Sequence, residues 1–219
     1  MNSLTKIINR PGIAGVLAVL AVATVMLTAG HEVMAAEPAP AGAATAKKWD
    51  VIYDKSTLGF RGDYGGSGFD GKFKKFNAKI QFDPQHPETG HFDVNIDVSS
   101  VTTFNDDWDQ VIAEKDWFDV KDHPTSTYVT KSIKPLEGGG YSAIGTLELK
   151  GKKHDVELRF RWTQYPDGDV KVDGQARMLA GAKVNRTDFD IGAGHWAEDS
   201  TVGFDVMVNV ELLLQAAKN

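Results

Sequence analysis

Apolar and polar positions alternate along most of this chain with a period of two. In "HFDVNIDVSS", Phe92, Val94, Ile96 and Val98 alternate with His91, Asp93, Asn95 and Asp97; in "HDVELRFRW", Val156, Leu158, Phe160 and Trp162 alternate with Glu157, Arg159 and Arg161. Successive side chains of a strand point to opposite faces, so each run predicts a strand with one apolar and one wet face. The C-terminal run repeats the pattern, with Phe204, Val206, Val208, Val210 and Leu212 set against Asp205, Asn209 and Glu211. Further strands are predicted over 49–52, 56–61, 76–82, 126–133, 141–149 and 171–179. Turns such as Glu137-Gly138-Gly139-Gly140, Lys150-Gly151-Lys152 and Pro166-Asp167-Gly168 separate them. Many antiparallel strands, each apolar on one side, must close on themselves or stack in two layers.

One segment departs from this period. Over 105–115, "NDDWDQVIAEK", Trp108, Val111, Ile112 and Lys115 fall at helical spacing, Asn105 can cap, and Asp106 and Asp107 suit the positive end of a helix dipole. The spacing predicts a short helix, which either fills the end of the core or packs Trp108 and Ile112 over one mouth of a barrel, with Trp117-Phe118 adding to that lid.

The N-terminus bears on compartment. Lys6 and Arg10 precede an apolar run from Ile13 to Ala29, and Ala35 and Ala36 follow, the pattern of a secretory signal peptide cleaved after Ala35 or Ala36; the run is also close to the length of a membrane span, so a retained anchor is the alternative. Residues 1–35 are thus expected to be a leader, 36–48 ("AEPAPAGAATAKK") a flexible linker, and 49–215 one folded domain. The chain has no cysteine, which removes disulfides, thiol catalysis and thiolate metal sites. With 24 Lys and Arg against 30 Asp and Glu the formal net charge is −6, and loss of Lys6, Arg10 and Glu32 with the leader makes the body more acidic still. Such a body repels a polyphosphate, no basic stripe is interleaved with aromatics, and no nucleic-acid partner is expected.

Several short patterns imitate chemistry. Gly66-Ser67-Gly68-Phe69-Asp70-Gly71 matches G-x-G-x-x-G, but strand-like sequence follows it where the dinucleotide fingerprint needs a helix. The carboxylates Asp106, Asp107, Asp109, Glu114 and Asp116 lack the ligand spacing and central glycine of a calcium loop and read as a solvated helix face. His86, His91, His123, His154 and His195 show no ligand motif, so no metal and no cofactor are expected.

What remains is the apolar interior, which sequence alone leaves open between a packed core and a lined cavity. The inward candidates are Phe60, Phe82, Phe92, Ile96, Leu158, Phe160, Trp162, Ala176, Met178, Phe204 and Val206. Among neighbouring positions, Gly145, Gly174 and Ala176 with flexible Met178 favour some open space.

Four segments, "FDGKFKKFNAKIQFDP", "EKDWFDVKDHPTSTYVTKSI", "YSAIGTLELKGKKHDVELRF" and "NRTDFDIGAGHWAEDSTVGFDVMVNVELL", occur in the order and spacing of the YceI-like family, which the chain resembles from about Trp49 to about Leu213. The resemblance implies an all-β, antiparallel, lipocalin-like barrel with a short helix in a single domain. It further implies a secreted, periplasmic protein that holds a polyisoprenoid-type lipid, a prenyl chain or isoprenoid quinone, against the inward residues above, without covalent catalysis. A headgroup would stay near a mouth, where Arg61, Lys72, Lys74, Lys75 or Arg186 could meet it. The same resemblance offers one alternative, an accessory partner of a membrane b-type cytochrome in quinone-linked redox chemistry or stress response; a secreted enzyme acting on a lipid-like substrate is a further alternative that the residues leave open. Oligomeric state is left open, a homodimer included. The chain departs from the family pattern at Lys55-Ser56, where His-Ser is common, and at Asp190, where glycine is common.

Overall fold

The computed structural model describes residues 46–165, 174–198 and 200–218, all within one unit, Pro40–Asn219. The expected leader, most of the linker, the turn at Pro166-Asp167-Gly168 and the beginning of the strand predicted from Lys171 lie outside these residues.

The strands are β1 (Lys48–Val51), β2 (Thr57–Tyr64), β3 (Ser67–Phe73), β4 (Phe76–Gln81), β5 (His91–Asp97), β6 (Val101–Thr102), β7 (Thr125–Pro135), β8 (Tyr141–Leu149), β9 (Lys152–Tyr165), β10 (Gln175–Asn185) and β11 (Asp205–Ala216). All pairings are antiparallel. β1 bonds to both β4 and β11, which closes the sheet into a barrel of 8 staves. Three staves are composite: β1 runs on into β2, β3 into β4, and β5 into β6, each across a kink. The kinks at 74–75 and 98–100 are stapled together by Ser100, whose Oγ accepts from the Lys75 amide at 2.9 Å and donates to the Asp97 carbonyl at 2.6 Å.

The period-two pattern is what the barrel uses. Along β9 and β11 the predicted apolar faces point inward and the charged faces outward, where pairs such as Lys131–Asp155 and Lys183–Asp205 cross between strands. β7 is the exception. It turns Ser126, Tyr128 and Thr130 inward and Val129 to solvent, and a bulge at Lys131 then shifts the phase so that Ile133 is buried.

The predicted helix forms as α1 (Asp106–Ile112), with Asn105 Oδ1 accepting from the Asp107 and Trp108 amides. It stops three residues short of the expected end, where tighter turns bring the Phe118 amide to the Ile112 carbonyl.

Candidate binding cavity

The barrel has two unlike ends. At the end where β5 and β8 begin and β4 ends, six aromatic rings fill the lumen. Phe82 lies at the centre, 0% exposed, within 4.9 to 6.2 Å of the ring centroids of Phe92, Tyr141, Phe160 and Trp162, and Trp49 closes on Trp162 at 5.1 Å. The Trp49 indole N–H donates to the Phe82 carbonyl at 2.9 Å, fixing this plug.

From mid-barrel toward the other end the packing opens into a cavity of about 170 Å³. Leu58, Phe60, Ile96, Leu158, Val184 and Val208 are among its walls. Three polar side chains touch it, Ser126, Tyr128 and Arg186, and each is engaged with backbone. Ser126 Oγ donates to the Glu148 carbonyl at 2.7 Å and the Tyr128 hydroxyl to that of Ala143 at 3.0 Å. Burial, and then the carboxylates of Asp155 and Glu157, push the Tyr128 hydroxyl well above its usual range, so it stays protonated. Its ring lies flat over Gly145, where an added Cβ would come within 2.5 Å of it.

Arg186 is 3% exposed. Its guanidinium donates to the carbonyls of Ile191, Gly192, Trp196, Val202 and Gly203 at 2.7 to 3.1 Å and lies 5.3 Å from the Phe204 ring and 5.8 Å from that of Trp117. The charge-assisted bonds tie residues 191–203 over this end of the barrel. Arg186 therefore serves the wall and is not one of the residues that could meet a headgroup at a mouth. Arg61 points outward and pairs with Asp70 at 2.9 Å.

Of the eleven inward candidates, the structure brings six to the cavity: Phe60, Phe92, Ile96, Leu158, Met178 and Val206. Phe82, Phe160 and Trp162 belong to the plug, and Ala176, fully buried, does not reach the cavity either. Phe204 is a correction. β11 begins one residue later, and the Phe204 ring sits against the Arg186 guanidinium and does not line the cavity. The small residues expected to leave space do not: Gly145 is covered by Tyr128, and Gly174 occupies a turn at φ +81°. Sequence reasoning missed Tyr128, Val184, Phe189 and Ile191 as lining residues.

The helix lies at this end, with a division of labour. Trp108 packs on Tyr64 and Phe69 at 5.2 and 5.4 Å, Phe118 reaches the cavity and meets Phe73 at 5.9 Å, and Trp117 lies behind it against Trp196. Gly71 in the opposing hairpin permits this packing, since a Cβ there would fall 2.2 Å from the Phe60 ring. The glycine pattern around it lies in a turn and β3, with no helix after it.

The acidic cluster is not uniformly solvated. Burial draws the Asp109 carboxyl upward, but bonds from the Thr103 amide and from the Thr102 and Thr103 hydroxyls, with Lys74 nearby, outweigh it and hold the group below its usual range. Asp190, where glycine is common in the resembled pattern, has φ +54°, a left-handed conformation that glycine adopts freely and that aspartate tolerates better than most other residues. A depression of about 480 Å³, larger than the cavity, lies outside between Asp116, Lys150 and Asp190. It is charged and open to water, unsuited to a hydrocarbon. Among the described residues no three His, Asp or Glu side chains converge as metal ligands.

The sequence model of the YceI-like domain matches residues 49–214. The chain belongs to the YceI-like family. A UPF0312 protein of Photorhabdus laumondii is 31% identical over 187 residues, covering 84% of this chain and 93% of its own length. BcnA of Burkholderia cenocepacia superposes with a TM-score of 0.69 at 30% identity, covering 75% of this chain and 99% of that one. A polyisoprenoid binding domain from Saccharophagus degradans, implicated in plant cell wall breakdown, superposes at 0.53 with 14% identity, over 80% of this chain and 100% of its own, a likeness of fold.

Proposed function

We propose that this protein is an exported carrier that holds part of a polyisoprenoid-type chain, a prenyl alcohol or the tail of an isoprenoid quinone, in the barrel cavity without covalent chemistry. One observation carries the reading: an apolar cavity whose polar wall groups are already bonded to backbone offers nothing to a polar ligand and much to a hydrocarbon. The binding domain from Saccharophagus degradans, of the same fold, supports the ligand class, and the Lys6–Ala29 pattern supports export to the periplasm.

Magnitudes set the form of binding. An engineered apolar cavity of roughly 150 Å³ takes one benzene, so the space here admits roughly one or two prenyl units before any side chain moves. About ten methylene equivalents contribute on the order of 8 kcal/mol gross, against an association cost on the order of 4 to 15 kcal/mol. Useful affinity thus requires a longer chain and some displacement of the wall, for which Met178, unbranched and lining the cavity, is suited. Affinity for prenyl alcohols should rise with chain length and then level off once the lumen is full.

The test is organic extraction and native mass spectrometry of the exported protein, followed by tryptophan fluorescence titration with prenyl alcohols of increasing length. A copurifying prenyl lipid with chain-length-dependent affinity is the expected result. No binding of any prenyl alcohol or quinone would remove the carrier reading.

A further inference from the structure

Phe104 is 68% exposed, the most exposed large apolar side chain among the described residues. It also stands at φ +62°, a left-handed backbone that bulky residues rarely adopt. Its surroundings hold it there. Thr102 Oγ accepts from the Phe104 amide at 3.1 Å, the Thr103 hydroxyl donates to Asp109 at 2.7 Å, and Asn105 caps α1 immediately after. Glycine or asparagine would meet this backbone with less strain, and a polar side chain would meet water better. Within the chain the ring meets the Lys72 ammonium and is otherwise largely in water, so packing does not account for phenylalanine at this position.

The neighbourhood says what does. Lys72 Nζ stands 5.6 Å from the Phe104 ring centroid, and on α1, which follows Phe104, Val111 is exposed. Trp108, one turn beyond Phe104, packs on Tyr64, itself 43% exposed, and on Phe69, which packs on Phe60 in the cavity wall. A continuous path of aromatic contacts thus joins this rim of the barrel to the cavity. An aromatic ring flanked by a lysine suits the boundary between lipid headgroups and acyl chains, with the ring in the boundary and the ammonium at phosphate. Asp106 and Asp107, both exposed beside Phe104, oppose an anionic surface.

We infer that Phe104, with Val111 and the Tyr64–Trp108 pair, forms a tip that docks on the surface of a phospholipid bilayer of neutral headgroups and sets the helix-covered end of the barrel against the membrane from which its ligand comes. The inference deepens the carrier reading and rests on it for its purpose, while the docking itself is measured separately.

Exported wild-type protein and the variants Phe104→Asn and Phe104→Trp, prepared alike, are co-sedimented with phosphatidylcholine vesicles and with vesicles containing phosphatidylglycerol. Asparagine should weaken association with neutral vesicles about tenfold, the loss expected for withdrawing one phenylalanine from an apolar phase, while tryptophan should preserve it. The melting temperature of Phe104→Asn should be unchanged or higher, which separates docking from folding. Anionic vesicles should bind no more tightly than neutral ones. Equal association of wild type and Phe104→Asn would overturn the inference, as would a dimer in solution that Phe104→Asn dissolves while vesicle binding is unaffected. Prenyl alcohol delivered from ethanol without vesicles should be bound equally by both proteins. Failure of both to bind it would count against the carrier reading, leaving docking to be decided by sedimentation.

Discussion

The two ends of the barrel are built from the same alternating strands and differ in what their inner faces carry. At the plugged end, Trp49, Phe82, Phe92, Tyr141, Phe160 and Trp162 interlock at ring-centroid spacings of 4.9 to 6.2 Å. At the helix-covered end the wall is mainly aliphatic, its rings meet along the wall, Phe60 with Phe73 and Phe73 with Phe118 at 5.7 and 5.9 Å, rather than around one central ring, and closure is delegated to α1 and to the loop held by Arg186. Interlocked rings leave no room, whereas aliphatic walls bridged from above do. The contrast shows that ligand space in such a barrel is obtained by moving the work of closure out of the lumen.

Removing the bridge should have the largest effect. Arg186→Leu strips five carbonyls of a charged donor and should cost upwards of about 4 kcal/mol, read as a fall in the denaturation midpoint. Arg186→Lys should recover less than half of this, since an ammonium cannot reproduce the planar fork. Full recovery by lysine would mean that charge, not geometry, holds the loop.

Truncation should next separate plug from wall. Phe82→Ala should cost about 3 to 5 kcal/mol, because the rings around it cannot collapse into the gap. Val208→Ala, facing space already empty, should cost about 1 kcal/mol. Similar losses in urea unfolding would erase the distinction between the ends.

Enlargement should invert that order of tolerance. Ala182, on the cavity wall, should accept leucine with little change in stability and a reduced affinity for prenyl alcohol. Ala176→Leu, in packed surroundings, should cost about 1 to 3 kcal/mol. Circular dichroism melts beside fluorescence titrations measure both.

The smallest effect concerns acid. Asp109 has a folded pKa below its unfolded value, so the unfolded chain takes up the proton first as pH falls. Its contribution is complete above about pH 4 and is lost as pH drops through the folded pKa. Asp109→Asn should flatten the acid side of the stability profile and leave its neutral region nearly parallel to wild type. An unchanged acid slope would show that the Thr102 and Thr103 bonds contribute nothing to folding.

The strands were legible because barrel walls enforce a period of two, and β8 matches its predicted range, 141–149, at both ends. Which inward residue belongs to plug or cavity was not legible. Phe82 and Phe60 obey the same alternation, and nothing in a period-two pattern encodes position along the barrel axis. The phase of β7 was hidden because its inward residues, Ser126, Tyr128 and Thr130, are polar and satisfied by backbone, while Val129 faces water. Charge alone leaves Arg186 no different from Arg61 or Lys72, a surface cation that could meet a headgroup, and does not show its burial. The sequence did hold a signal in Gly192, Gly194 and Gly203, which mark the irregular loop whose carbonyls a long, multiply donating side chain could cross and bind.

Both described extremities of the chain meet at the plugged end, where Trp49 of β1 pairs with Ala216 of β11. A handle attached after Lys218 therefore lies at the pole opposite Phe104. Protein captured by that handle on a sensor chip or bead would present its helix-covered pole outward, so ligand and vesicles can be flowed over an oriented layer. Capture through the β2–β3 turn at Gly65-Gly66 would turn the layer over, and the difference in signal between the two orientations would report which pole does the work.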